Sequence, residues 1–281
     1  MPFVRAPAVA GLFYPADPPT LRSLVRQLLS AARPAALPPE RPEALIVPHA
    51  GYPYSGPVAA SGYVRLEPWR GTFARVVLVG PAHHAAFDGL AASTASAFAT
   101  PLGELRVERL PEAAASRFAI VACDRAHAPE HCLEVQLPFL AEVLGDHVSI
   151  LPLLTGRVAP AEVADALLDL WAPDTLVVVS SDLSHYLPYR EARLRDAATA
   201  AAIERLEPAF VRSGDACGHT AVQALLLAAR SRQLAAHAAD LRNSGDTGGS
   251  RREVVGYGAF VFAPPCTAHH YPVTTPNRED S

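Results

Sequence analysis

The sequence contains no lysine, and its 24 basic side chains other than histidine are all arginine. Acidic residues outnumber them at 28, the formal net charge is −4, and the arginines form no basic stripe along the chain. Proteins that bind nucleic acids need such a stripe to neutralise phosphates. A nucleic-acid partner is therefore not expected.

Long apolar segments and cysteine pairs are also lacking. No apolar run reaches the ~18 residues that a membrane span requires, and no charged-then-apolar leader is recognisable. The four cysteines form no Cys-x-x-Cys pair, and we expect free thiols rather than a disulfide framework. A soluble, cytoplasmic protein with no membrane partner is the expectation. The cysteines are Cys123, Cys132, Cys217 and Cys266.

Apolar residues are abundant, at 50 % of 281 residues, which suffices for one large domain. Strand-like runs alternate with helical patterns. This alternation predicts an α/β fold: a single domain over 1–263 with a central, mainly parallel sheet flanked by helices, and a flexible tail over 264–281. The expected helices follow the N-cap Asp17 and cover 57–66, 131–144, 160–171, 191–206 and 220–230, and a final strand region covers 252–262.

Three continuous apolar runs give the strongest strand predictions, and each of them leads into histidine. Such runs are typical of strands buried on both faces of a parallel sheet. Ligands bind outside the carboxyl ends of these strands, so the pattern predicts a metal or acid–base site at one edge of the sheet. The runs are 44–48, 75–80 and 175–181, and they lead to His49, to His83 and His84, and to Asp182 and His185.

Each of these polar residues also has a simpler interpretation. His49 could be a capping histidine in a loop. Because adjacent side chains after a strand point in different directions, only one of His83 and His84 is expected in the site. If the chain turns helically after the third run, Asp182 and His185 share a face and the carboxylate can hold the imidazole in one tautomer. The alternative is an N-cap aspartate beside a solvated histidine.

Two further groups are ambiguous on the residues alone. His131 and Glu134 are three residues apart on a predicted apolar helix, which suggests a buried partner for the carboxylate, or else a surface pair facing water. Cys217 precedes a predicted helix, whose dipole favours a thiolate that could be a soft ligand or a nucleophile. The alternative is an ordinary half-buried cysteine.

Seven short motifs together resemble the Memo family, whose bacterial members are often called AmmeMemoRadiSam system protein B. They occur in the family's order between about residue 3 and residue 262. The motifs are AGLFYP at 10–15, PHAGY at 48–52, GPAHH at 80–84, HCLE at 131–134, SSDLSH at 180–185, CGH at 217–219 and SGD at 244–246.

This resemblance implies a fold like that of the class III (LigB-type) extradiol dioxygenases, which are non-haem iron enzymes. It also implies that His49, His83 and Cys217 bind a metal, with Asp182 and His185 beside them. Those dioxygenases use two histidines and a carboxylate, whereas the third position here matches the cysteine. The residues expected to line the pocket or support the ligands are Tyr54, His84, His131, Glu134 and His219.

Three functions are compatible with these features. The first is a metal-dependent oxidoreductase with iron(II), or else copper or zinc, in which Asp182, His185 and Cys217 serve catalysis and Asp182 orients a histidine. The second is a non-catalytic binding protein for a small molecule or peptide, acting with a radical-SAM protein and other AmmeMemoRadiSam components. The third is a hydrolase that uses Cys217 with a neighbouring histidine.

Overall fold

The computed structural model of the chain describes residues 3–34 and 40–265, and the predicted tail lies outside the described residues from residue 266 onwards. Twelve strands occur in the described part. They are β1 (Val4–Arg5), β2 (Ala44–Val47), β3 (Arg75–Pro81), β4 (Leu90–Ala92), β5 (Ala97–Thr100), β6 (Gly103–Arg106), β7 (Ile120–Ala122), β8 (Ser149–Thr155), β9 (Thr175–Ser180), β10 (His185–Leu187), β11 (Ala235–Asn243) and β12 (Val254–Ala263).

Nine α-helices and three short 3₁₀ segments complete the described chain. None of the helices in this part is long and apolar enough to cross a membrane. The helices are α1 (Pro18–Ala32), α2 (Tyr52–Tyr63), α3 (Glu112–Arg117), α4 (Asp124–His127), α5 (Leu137–Leu144), α6 (Pro160–Leu170), α7 (Tyr189–Glu204), α8 (His219–Ser231) and α9 (Ser244–Thr247), and the 3₁₀ segments are Val64–Trp69, Glu134–Gln136 and Pro208–Phe210.

The main sheet has nine strands, and the three histidine-bearing runs form adjacent parallel strands at its centre. Its order is β10-β12-β2-β9-β3-β8-β4-β7, with β11 on the free side of β12. Strands β2, β9, β3 and β8 run parallel, as predicted, whereas β12 pairs antiparallel with β2 and β4 with β8. The sheet is therefore mixed: its four central strands are parallel, and the two strands that flank them, β12 and β4, run antiparallel to them. A separate three-stranded sheet has the order β1-β5-β6.

Helices cover both faces of the sheet, which explains why the central strands are apolar without alternation. In β2, Leu45 and Val47 belong to the core on the face covered by α1, α2 and α5, while Ala44 and Ile46 belong to the core on the other face, which α6, α7 and α8 cover. All four side chains are fully buried. A two-sided core of this kind is typical of the α/β class, and the described chain forms one domain.

Some element boundaries differ from the sequence predictions. The expected helix over 57–66 begins earlier, at Tyr52, because Pro53 rather than Pro57 occupies its first turn. The expected helix over 131–144 begins only at Leu137, since Pro138 fits the first helical turn and the preceding residues form a 3₁₀ segment. Strand β11 was not predicted. Its sequence has no β-branched residue, and its pairing along β12 makes it a strand.

A buried carboxylate fixes the N-terminal segment against the domain. Glu134 is 0 % exposed and forms an ion pair of 2.7 Å with Arg5. It also accepts hydrogen bonds from the N–H groups of Ala8 and Val9 and from the Tyr14 hydroxyl. Burial and the hydrogen bond to this carboxylate raise the pKa of Tyr14 well above its usual value. Of the two interpretations that the sequence left open for Glu134, the buried partner is confirmed and the surface pair with His131 is wrong: the partner is Arg5, 129 residues away in sequence.

Candidate metal centre

A cleft of about 750 Å³ lies where β2, β9 and β3 end at the same edge of the sheet. The strongest sequence prediction was that five polar side chains would meet at such an edge, and the structure confirms this convergence. The cleft is larger than a water site and is in the range of small-molecule pockets. The five residues that line it as predicted are His49, His83, Asp182, His185 and Cys217.

Three potential ligand atoms form the centre of this cleft. One ring nitrogen of His49, one of His83 and the sulfur of Cys217 all lie within 4.8 Å of one another. The Cys217 Sγ is 3.2 Å from His49 Nε2, and the two imidazole centroids are 5.2 Å apart in an edge-on arrangement. Two imidazoles and a thiolate are a suitable donor set for iron, copper or zinc.

The orientation of His49 is fixed from two sides. Its Nδ1 lies 3.0 Å from the hydroxyl of Ser180, and its backbone N–H donates to Asp182 at 2.7 Å. Nε2 is therefore the nitrogen that faces Cys217. Burial lowers the pKa of His49 to about 3, so the ring is neutral at neutral pH, which is the form that a metal requires.

Glu130 holds His83, and the sequence reasoning missed it. Its two oxygens accept from the Nδ1 and the backbone N–H of His83, at 2.9 and 2.6 Å. They also accept from the backbone N–H groups of His131 and Cys132. Burial raises the pKa of this carboxyl group, but these hydrogen bonds outweigh that effect and the net pKa is well below the usual range. Glu130 directly precedes the motif at 131–134, and this position was the only available signal.

Cys217 keeps its proton at neutral pH unless a metal binds it. Burial, together with the nearby charge of Asp182, raises the pKa of Cys217 to about 12. The predicted helix-dipole effect is therefore outweighed, because α8 begins only at His219 and desolvation dominates. The N–H of Asp182 donates to the sulfur at 3.3 Å and fixes its position. Metal binding at such a thiol releases its proton.

Asp182 has a different partner from the one that its spacing suggested. Its carboxylate accepts from the backbone N–H of His49 and makes no hydrogen bond with the ring of His185 or His83 within the described chain. Residues 181–184 are irregular rather than helical, because Leu183 and Ser184 bond to Gly256 of β12. Burial raises the pKa of Asp182. The residue thus joins the ends of β2 and β9, and the orienting role predicted for it belongs to Glu130.

The neighbouring strand β10 brings His185 into the cleft through an irregularity in its pairing. The register of β10 against β12 shifts between His185 and Leu187. Tyr186 lies at this shift with a φ of +56°, a conformation that is unusual for a bulky residue, and its side chain is 72 % exposed. Irregular pairings of this kind often redirect side chains beside active sites, and both residues line the cleft.

Comparison with known proteins agrees with the motifs. A family model described as "Memo-like protein" matches residues 5–261. The chain belongs to the Memo family. A MEMO1 family protein of Methanopyrus kandleri is 35 % identical over 285 residues, which cover 92 % of this chain and 98 % of that protein. A MEMO1 family protein of Aquifex aeolicus is 36 % identical over 273 residues, with coverages of 92 % and 99 %. A crystal structure of an uncharacterized protein from Escherichia coli K12 is more distant, with a TM-score of 0.46, 14 % identity and coverages of 77 % and 99 %.

The remaining residues expected around the centre divide into two groups in this Memo-family chain. His131 lines the cleft, and its ring stacks on that of His83 with centroids 4.8 Å apart. Burial lowers the pKa of His131 to about 4. His84 is exposed, with its ring 6.0 Å from that of His131. His131 therefore lies beside the three potential ligand residues, whereas His84 adjoins His131 without lining the cleft.

The other expected residues do not line the cleft. Tyr54 is exposed on α2, and Glu134 faces the N-terminal segment. His219 begins α8, and its buried Nδ1 has no hydrogen-bond partner within the described chain. Phe13, by contrast, lines the cleft although it was not predicted to do so. The centroid of its ring lies 4.9 Å from that of His131. The buried carboxylate of Glu134 anchors the turn that carries this phenylalanine.

Proposed function

We propose that this Memo-family protein is a non-haem metal-dependent oxidoreductase. His49, His83 and Cys217 would hold the metal, with iron(II) as the first candidate and copper or zinc as the next. The observation that carries the proposal is the convergence of two imidazole nitrogens and one sulfur within 4.8 Å of one another at an open cleft. Three protein ligands leave positions for a substrate and an oxidant.

The hydrogen bonds behind the cluster support this proposal. Nδ1 of His49 is occupied by Ser180 and Nδ1 of His83 by Glu130, so both rings present Nε2 to the cleft. A carboxylate behind a histidine is the usual support of a metal ligand, since it fixes the tautomer and increases the basicity of the ring. A bound iron or copper ion would supply the one-electron chemistry that these side chains lack.

The other side chains of the cleft have supporting roles in this proposal. His185 lines the cleft without being one of the three clustered ligands, and we assign it to moving a proton. Asp182 holds the backbone of His49 and donates its own N–H to the cysteine sulfur. We also infer a reducing, cytoplasmic location, because Cys123, Cys132 and Cys217 are free thiols.

One observation favours a cysteine hydrolase as the second candidate. The 3.2 Å separation of Cys217 Sγ and His49 Nε2 resembles a nucleophile and its base. Two features weigh against it. Burial keeps the pKa of the imidazole near 3 and that of the thiol near 12, so the pair does not form a thiolate–imidazolium. In addition, Nδ1 of the histidine contacts a serine hydroxyl and not a carboxylate.

Metal stoichiometry and turnover test the proposal together. Protein purified without oxygen should bind close to one iron(II) per chain and consume dioxygen in many turnovers with a chelating probe such as 4-methylcatechol. His83→Ala and Cys217→Ser should each lose most of the bound metal. The matched controls are His84→Ala, a histidine outside the group of three ligands and outside the cleft lining, and Cys123→Ser, a free cysteine outside the cleft.

Each result separates the candidate functions. Unchanged metal content in both cleft variants would refute the assigned ligands. Metal binding without turnover would leave a metal-binding protein that is not an oxidoreductase. Hydrolysis of an ester probe that withstands chelators and is lost in Cys217→Ser would favour the hydrolase.

A further inference from the structure

The cleft is also lined by a permanently charged cation that the proposed metal centre does not use. Arg195 of α7 lines it together with Ser213 and Gly214, which belong to a turn shortly before α8. An arginine in a substrate cleft is chemically distinct from the histidines beside it, because its guanidinium is charged at every working pH.

The guanidinium of Arg195 is held in place but keeps free donors. Its Nε lies 3.4 Å from a carboxylate oxygen of Asp215, and its Nη1 donates to the carbonyl of Gly214 at 3.5 Å. Both contacts are long, and Nη2 has no partner in the part of the chain that the structure describes. The side chain is 45 % exposed. The Nη1 and Nη2 groups can therefore donate hydrogen bonds to two oxygens of an anion in the fork geometry that arginine favours.

The adjacent turn adds further unpaired donors. Among the described residues, the N–H groups of Ser213 and Gly214 and the hydroxyl of Ser213 have no hydrogen-bond partner. Asp215 does not neutralise this surface fully. Its second oxygen accepts from the N–H of Arg212 at 2.8 Å, and it contacts Arg195 on the Nε side. Successive free N–H groups beside a guanidinium form a surface that attracts anions.

Asp182, the one carboxylate among the described residues that line the cleft, does not offset Arg195 either. Asp182 is buried at the metal cluster and is directed to the backbone N–H of His49. A bound divalent cation would make the cleft more positive still. The charges and free donors of the cleft are thus suited to a negatively charged ligand.

We propose that Arg195 and the Ser213–Gly214 turn form an anion subsite for the substrate. The substrate class is a small organic acid that reaches the metal ligands with a pair of oxygens and places a separate carboxylate against Arg195. The binding of the substrate's oxygen pair at the metal rests on the proposed function. The binding of its carboxylate rests on the arginine and the turn alone. The cleft volume of about 750 Å³ accommodates such a molecule.

Two probes that differ only in the anionic group test the subsite. The full-length protein, loaded with iron(II) and also free of metal, is titrated with 3,4-dihydroxybenzoate and with 4-methylcatechol. Wild type should bind the acid about tenfold more tightly than the neutral probe, the effect expected of one charge-assisted contact. Arg195→Gln should abolish this preference and leave the affinity for 4-methylcatechol and for the metal unchanged.

The matched control is Arg193→Gln on the same helix. Arg193 lies outside this cleft and over the ring of Tyr189, so its loss should leave the preference for the acid intact. Higher salt should reduce binding of the acid more than that of the neutral probe.

The outcomes separate this inference from the proposed function. If Arg195→Gln keeps the preference for the acid, the subsite is refuted even though iron still binds. If wild type holds no metal, the proposed function fails, and an Arg195-dependent preference in the metal-free protein would still support the subsite. Benzoate should compete with the acid better than inorganic phosphate does. Stronger competition by phosphate would overturn the assignment to a carboxylate.

Discussion

Replacing Glu130 by glutamine tests the support of the metal centre most directly. The carboxylate accepts four hydrogen bonds, two of them from His83. A glutamine of the same shape has one oxygen and one NH₂ group, so at least one N–H of the site must face another donor. The best orientation keeps the amide oxygen on the side of His83 Nδ1 and loses the 2.6 Å hydrogen bond from the backbone N–H of His83.

The expected magnitude follows from that lost bond and the lost charge. A hydrogen bond to a charged group contributes about 1.5–3 kcal/mol. About 1.4 kcal/mol corresponds to a factor of ten in a binding constant. Loss of a carboxylate behind a ligating histidine typically lowers metal affinity by about 10–100-fold, and the two estimates agree. We expect Glu130→Gln to lower iron(II) affinity by this factor.

The assay is competition for iron(II) with a chelator of known affinity, at a temperature where the variant is folded. Glu134→Gln is the matched control, because this residue is also fully buried but contacts Arg5 and the N-terminal segment instead of the histidines. It should reduce the free energy of unfolding by about 3–5 kcal/mol, since it leaves a buried charge unpaired, and spare metal affinity. If the iron(II) affinity of Glu130→Gln lies within twofold of that of the wild type, the assigned role of Glu130 is wrong.

Two further predictions concern stability. Burial lowers the pKa of His127 to about 4, so between about pH 6.5 and pH 4 only the unfolded chain takes up this proton. The free energy of unfolding should fall as the pH drops through that window. His127→Asn should make this decline shallower by up to about 1.4 kcal/mol per pH unit, as measured by urea unfolding. An unchanged slope in the variant would contradict this. A Cβ at Gly80 would lie 2.7 Å from Cys132 Sγ and 2.9 Å from Leu133 Cδ2. Gly80→Ala should therefore lower the free energy of unfolding by about 1–3 kcal/mol. An unchanged urea midpoint would contradict this, because it would show that Cys132 and Leu133 move aside without cost.

The sequence alone determined the centre of the sheet and the position of the candidate site. The apolar runs before His49, His83 and Asp182 are buried strands because no polar residue interrupts them and helices cover both faces. Parallel strands bring their carboxyl ends to one edge. Local pattern and topology were therefore sufficient to predict that these side chains meet.

Cys217 follows no such strand. Its motif and the family resemblance assigned it to the same site. The mixed margins of the sheet were not predictable in this way. Strand β11 carries no periodic signal of its own and forms only because β12 provides a partner along its length.

The partners of the polar groups were decided by the tertiary structure. Glu130 lies 47 residues from His83, and Glu134 lies 129 residues from Arg5. Asp182, three residues from His185, instead accepts from a backbone N–H 133 residues away. A buried carboxylate binds whichever donors the fold brings within about 3 Å, because an unpaired charge in the interior is too costly. The decisive donors come from distant segments, so spacing along the chain identified His49, His83 and Asp182 but neither Glu130 nor the hydrogen bonds of the site.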